Sequence, residues 1–207
     1  MNTLILFIAC RSLFLSASAQ EDTVVKSLNE VIVTANRTMQ KEAVVPYTVQ
    51  SVDRKHLNQF NPRTTPEALM GMNGVFVQKT NHGGGSAFVR GLTGNQTLIL
   101  VDGIRLNNST SRYGPNQYLN TVDAFTIQKI EVARGTGSVQ YGTDALGGVI
   151  HVLSNEPLLK KNNDDGIKKI AATAIVKFMS GNMEQTSRAE MNYSSKGFAA
   201  IVGATGR

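Results

Sequence analysis

Tryptophan is absent from this 207-residue chain, and cysteine occurs once, at Cys10. A single thiol cannot build an internal disulfide framework, so the fold has to rest on core packing. The three histidines show no spacing with that cysteine that would hold a metal. A basic stripe is missing too. The formal charge of +6 comes from scattered side chains, apart from Lys160-Lys161 and Lys168-Lys169, which excludes a nucleic-acid groove. Strongly apolar sequence is confined to residues 1–19, where Arg11 interrupts it, so neither half reaches the roughly 18 residues of a helical membrane span. That segment ends in Ala17-Ser18-Ala19 ahead of Glu21-Asp22, an A-x-A pattern that predicts a secretory signal peptide over residues 1–19.

Two catalytic phrases begin and are not completed. His82-Gly83-Gly84-Gly85 matches an oxyanion-hole phrase, but the partner motif G-x-S-x-G occurs nowhere, which removes the hydrolase reading. Gly135-Thr136-Gly137 imitates a dinucleotide fingerprint. The third glycine is replaced by Gln140 and no long helical pattern follows, so these glycines are turn punctuation. No catalytic residue and no resident metal or cofactor is expected.

What the chain does have is a series of short β-branched runs separated by glycine. Strands are predicted at about 46–52, 74–78, 87–90, 97–101, 104–106, 127–133 and 148–153. Asp102-Gly103 between two apolar runs is a two-residue hairpin signal, because both residues tolerate positive φ. A short helical turn is predicted from Asp53 to Phe60, ended by Asn61-Pro62. A second is predicted from Thr64-Thr65-Pro66-Glu67, where Glu67 stands three after Thr64 as in a capping box, with Gly71 ending it. Two loops stand out: Asn81 to Ser86, flexible by composition, and Asn107 to Asn120, long, polar and carrying two tyrosines. A loop of that length in a compact domain is functional or disordered.

After Pro157 the pattern changes. Leu158 to Gly166 reads as a charged linker. From Ile170 the residues alternate, with Ile170, Ala172, Ala174, Val176 and Phe178 on one side and Ala171, Thr173, Ile175 and Lys177 on the other. Two more such runs follow, through Tyr193 and from Phe198. Three meandering strands with one apolar face resemble the opening of a membrane β-barrel. Three strands cannot close one, and an open edge in hydrocarbon leaves backbone groups unsatisfied. The sequence is therefore expected either to be an N-terminal fragment or to end in a small soluble meander. The alternative is a stand-alone, plug-like binding module of the periplasm or cell surface.

Arg90, Glu131 and Arg134 are charges set in or beside apolar strands. Buried, they must pair with one another or with a surrounding wall; at strand ends, they would reach water. Glu30-Val31-Ile32-Val33-Thr34-Ala35 is an isolated β-prone run near the start of the chain. It is either an ordinary edge strand or a segment that joins a partner's sheet by β-addition.

Taken in order, these phrases resemble the plug domain of TonB-dependent outer-membrane receptors. The resemblance rests on Glu30 to Ala35, Gly74-Val75-Phe76-Val77, Val89-Arg90-Gly91, Leu100-Val101-Asp102-Gly103-Ile104-Arg105, Ile130-Glu131-Val132 with Arg134-Gly135, and Tyr141-Gly142 through Ala145-Leu146-Gly147-Gly148-Val149-Ile150. Asn73 departs from it, standing where the family often has proline. The resemblance implies an α+β fold: a small mixed-sheet plug with short helices, followed by the first antiparallel strands of an incomplete transmembrane β-barrel. The implied organisation is a signal peptide (1–19), a tail bearing the TonB box (20–40), the plug (41–157), and a linker with the first barrel strands (158–207).

It also implies function. Glu30, Val31, Ile32, Val33, Thr34 and Ala35 would be the TonB box, binding TonB of the inner-membrane energy-transducing complex. His82, Gly83, Gly84, Arg112, Tyr113 and Tyr118 would lie in the ligand loops, and Arg90, Glu131 and Arg134 would be charged contacts of the plug. The transported ligand would be iron-bearing, such as haem (free or on a haem protein) or a ferric siderophore, with cobalamin behind these. Outer-membrane lipid would surround the barrel, and no nucleic-acid partner is implied.

Overall fold

Apolar side chains buried on both faces organise the larger sheet. The computed structural model describes residues 31–32, 40–41, 48–80, 84–106, 114–157, 169–181, 183–195 and 197–207. Two short strands, β1 (Val31–Ile32) and β2 (Gln40–Lys41), pair antiparallel. A five-stranded mixed sheet follows, made of β3 (Thr48–Asp53), β6 (Thr97–Val101), β7 (Ile104–Arg105), β8 (Ile127–Arg134) and β9 (Gly148–Ser154) in the order β3-β8-β9-β6-β7. Only β6 and β9 run parallel. A separate hairpin joins β4 (Val75–Lys79) to β5 (Gly85–Val89).

In register, Val52, Ile130, Val152 and Val101 lie side by side, as do Val132, Ile150 and Ile99. That face carries the main core, completed by Leu57, Leu69, Met72, Val77, Val89 and Leu119. Ile127, Ile130, Val132 and Ile150 have no solvent exposure, and each such side chain contributes roughly 1.5–3 kcal/mol on leaving water. The opposite face has a smaller apolar cluster of Leu98, Leu100, Val149, Tyr141 and Ala145. Beside this cluster the same face opens into a cleft of about 980 Å³.

Helix α1 (Arg54–Phe60) starts on Asp53, whose carboxylate accepts the His56 N–H at 2.8 Å, and stops at Asn61 in the left-handed region. Helix α2 is shorter than its sequence suggests, Thr65–Ala68, and its expected capping box is not formed. Thr64 makes no side-chain cap, the Thr65 hydroxyl donates to the Val122 carbonyl, and Glu67 accepts from the Arg63 N–H at 2.8 Å. Thr65 is taken by a distant carbonyl, while Glu67 bonds the chain one residue ahead of the expected cap. Helix α3 (Ser138–Tyr141) is a single turn that lays Tyr141 on the second face. Within the polar stretch before β8, short 3-10 turns form at Tyr118–Thr121 and Ala124–Thr126.

The last sheet is an antiparallel meander of β10 (Lys169–Met179), β11 (Glu184–Ser195) and β12 (Phe198–Gly206). Among the described residues it does not close into a barrel. Its register places Ala172, Met191 and Val202 on one face and Ile175, Arg188 and Thr205 on the other.

Candidate functional site

The two loops singled out in the sequence meet at their described ends. Gln117 Nε2 donates to Thr80 Oγ1 at 3.0 Å, tying the stretch after β7 to the tip of the β4–β5 hairpin. Ser86 Oγ donates to the Asn116 carbonyl, and the Asn116 amide donates to the Gly94 carbonyl at 3.2 Å. Both Ser86 and Asn116 are buried, so these bonds form a dry joint under the loops. Gly84 is buried at the start of that hairpin's second strand, its carbonyl accepting from Thr80 N–H. Tyr118 is half-buried and packs against the main core, a position that holds its 3-10 turn in place. His82, Gly83, Arg112 and Tyr113 lie outside the described residues, as do Glu30, Val33, Thr34 and Ala35.

Arg90, in the turn after β5, and Arg134, at the end of β8, both meet the Asn73-Gly74 backbone although they are 44 positions apart in the sequence. Arg134 Nη1 donates to the Asn73 carbonyl at 2.7 Å, and Arg90 N–H donates to the Gly74 carbonyl at 2.9 Å. Gly74 and Gly135 make room: a Cβ on Gly74 would stand 3.1 Å from Arg134 Cδ, and one on Gly135 would stand 3.6 Å from Arg90 Nη1. Arg134 Nε is buried without a hydrogen-bond partner, and neither arginine has a carboxylate partner among the described residues. Glu131 does not join them. It points to the other face of the sheet, fully buried, with Lys129 Nζ at 3.0 Å. The odd spacing between Glu131 and Arg134 along one strand forces this separation.

A charged seam joins the mixed-sheet body to the meander. Asp123 Oδ2 accepts from Arg188 at 3.2 Å and from Thr205 Oγ1 at 2.6 Å, while its Oδ1 meets Arg207 at 3.1 Å. Arg188 also pairs with Glu190 and lies 5.8 Å from the Phe125 ring centroid, a cation–π contact. From the body side, Arg54 Nη1 donates to the carbonyls of Phe125 and Ile127 at 3.1 and 2.8 Å. Burial lowers the Arg54 guanidinium below its ordinary value, against the pull of Glu190 and Asp123. A second contact runs from Arg63 to Glu184 at 3.6 Å and from Lys177 Nζ to the Asn61 carbonyl at 2.9 Å. There Glu67 is held below the ordinary carboxylate range: burial raises it, but the Lys79 hydrogen bond, the Arg63 N–H and the two cationic charges outweigh that.

Sequence reasoning missed this seam. The alternation of Arg188 and Glu190 with apolar residues on β11 was visible, but nothing local marks Asp123 as their partner.

The sequence pattern, the fold and a family match now agree. The family model described as TonB-dependent Receptor Plug Domain matches residues 41–149, just over half of the chain. The chain belongs to the TonB-dependent receptor plug family. That membership places the plug described above in the outer membrane. The vitamin B12 transporter BtuB of Vibrio vulnificus (strain YJ016) is 36% identical over 154 residues, covering 73% of this chain and 25% of that protein. The BtuB of Vibrio cholerae O1 (strain M66-2) is 37% identical over 128 residues, covering 60% of this chain and 20% of that protein. The plug thus spans, with its neighbouring strands, about a quarter of the length of the curated relatives it matches.

Among solved structures, the FpvAI–pyocin S2 complex superposes with a TM-score of 0.61 at 19% identity, covering 84% of this chain and 22% of that one. The ferripyoverdine receptor of Pseudomonas aeruginosa gives 0.60 at 17% identity, covering 85% and 22%. These likenesses show the plug fold alone. The named relatives are transporters and receptors, not enzymes.

Proposed function

We propose that this chain forms the plug and opening wall strands of an outer-membrane receptor that takes up a bulky metal chelate with energy delivered through TonB. The observation that carries the reading is the two-sided meander. One face bears Arg188, Glu190, Glu184, Lys177 and Thr205, which ion-pair or hydrogen-bond within the charged network against the plug. The other bears Val176, Phe178, Met191 and Val202, each more than half exposed. Strands of 11, 12 and 9 residues match the roughly 9–11 needed to cross a bilayer, and a dyad alternation is what a barrel wall requires.

Within that frame Glu30 to Ala35 is the TonB box and pairs with TonB by β-addition. The joined loops at Asn81 to Ser86 and Asn107 to Asn120 form the ligand end. Arg90 and Arg134 are plug contacts that await carboxylates of the wall, since a buried, unpaired Arg134 Nε costs free energy until it is met. Glu131 is an internal contact of the plug rather than part of that pair.

Corrinoid, haem and ferric siderophore are all large metal complexes. The Vibrio relatives make cobalamin the first ligand to test and the iron chelates the next. In the haem case, His82, Tyr113 and Tyr118 are the donors these loops offer to the iron.

Titrating the periplasmic domain of TonB into the chain tests the energised side. Binding is expected, and Val33→Pro should abolish it by removing a strand donor. Absence of binding, or binding that ignores the proline, would count against the reading. For the ligand side, cobalamin, haem and a ferric siderophore are each offered to outer membranes bearing the chain. Retention of none of the three would count against metal-chelate uptake.

A further inference from the structure

The cleft on the second face of the five-stranded sheet holds a histidine that neither end of the proposed transport path uses. His151 lies on β9, in register with Glu131 on β8 and Leu100 on β6, and is only 5% exposed. Its Nε2 accepts the backbone N–H of Gly103 at 3.0 Å. An imidazole nitrogen accepts only while it carries no proton, so the contact requires the neutral ring with its hydrogen on Nδ1. Gly103 is the second residue of the hairpin turn, where Asp102 and Gly103 have φ of 49° and 82°. Two more bonds hold that turn to β9: Asp102 N–H to the Val152 carbonyl at 2.9 Å, and Ser154 N–H to Asp102 Oδ1 at 2.8 Å. The other arm of the hairpin, β7, runs directly into residues 107–120.

We propose that His151 is a proton-operated clip on the β6–β7 hairpin: neutral, it holds the turn against β9; protonated, it releases Gly103 and loosens the base of the loop beyond β7. The step is a plain proton uptake at Nε2, after which two N–H donors face each other and the hydrogen bond cannot persist. Charged and titratable groups around the ring come from every neighbouring element. Glu131 and Lys129 stand on β8, Asp102 on the turn, and Asp53, Arg54 and Lys55 at the β3–α1 junction. Tyr141 lies on α3 and Glu156 just past β9. Glu131 is already met by Lys129. Burial lowers the His151 value and outweighs the opposing pull of Glu131 and Asp102. A depressed value means that the clip is intact above the ordinary 6.5 and is lost as pH falls from there through the folded value. The loop's role in ligand binding rests on the proposed function; the clip itself does not.

Nuclear magnetic resonance on the full chain tests it without ligand or TonB. The His151 ring should show the Nδ1–H tautomer at pH 7.5. Below pH 6.5 the exchange protection of the Gly103 amide should fall about tenfold per pH unit until the ring titrates. In His151→Gln the side-chain carbonyl can accept the same N–H and does not titrate, so protection should stay flat across that range. An Nε2–H tautomer, Gly103 protection that ignores the ring's titration, or the same pH step in the glutamine variant would overturn the proposal. The wild-type readings decide it even if the variant does not fold.

Discussion

Glu131 is wholly buried, and the Lys129 ammonium stands 3.0 Å away as a cationic partner for its charge. Lys129→Met should destabilise the fold by about 2–4 kcal/mol in chemical denaturation, because it removes the cationic partner of a buried carboxylate. Adding Glu131→Gln should recover most of that loss, and a double variant no better than the single one would refute the pairing. Acid sensitivity should come in two windows. His151, lowered by burial, gives stability that is present above its ordinary 6.5 and lost as pH falls through its folded value. Glu67, lowered by Lys79 and Arg63 against burial, gives stability present above its ordinary 4.5 and lost further down. Urea midpoints measured against pH should lose the upper step in His151→Gln and the lower step in Glu67→Gln; a slope unchanged by both substitutions would contradict the assignment. Composition left Arg90 and Arg134 either paired or solvated. Only the structure shows both meeting the backbone of Asn73 and Gly74, which lies far from either in sequence.

At the level of elements, strands were readable because burial on a pleated sheet imposes a period of two, and the Asp102-Gly103 turn was readable because it needs positive φ twice. Helix α2 was less so. Its capping groups are local in sequence, yet Thr65 and Glu67 serve partners at Val122, Arg63 and Lys79 instead. The glycines of the β6–β9 region differ in what they permit. A Cβ on Gly148 would lie 2.5 Å from the Ala133 carbonyl oxygen, so Gly148→Ala should cost about 3 kcal/mol or more by forcing β8 and β9 apart. Gly103 has open space around it and only its positive φ to defend, so Gly103→Ala should cost about 1 kcal/mol. Thermal denaturation that ranks the two in the reverse order would show the packing of β8 on β9 to be misread.

For the whole molecule, the telling arrangement is a meander with two surroundings, charged toward the plug and apolar away from it. The alternation from Ile170 onward was plain in the sequence. The partners were not: Asp123 meets Arg188, Thr205 and Arg207 across 65, 82 and 84 positions, and no local pattern encodes such a meeting. If that seam fastens the plug to the wall, Arg188→Met should raise amide exchange at residues 124–127 by about tenfold or more, equivalent to ~1.4 kcal/mol. Unchanged exchange there would leave the fastening to other contacts.

The central claim, that β10–β12 form a membrane wall, is tested most directly by fluorophores placed one at a time along β12 in outer membranes, with Cys10 replaced by serine. A lipid-borne quencher should reach Ala200, Val202 and Ala204 and spare Ala199, Ile201 and Thr205. Equal quenching along the whole strand, or none anywhere on it, would contradict the account.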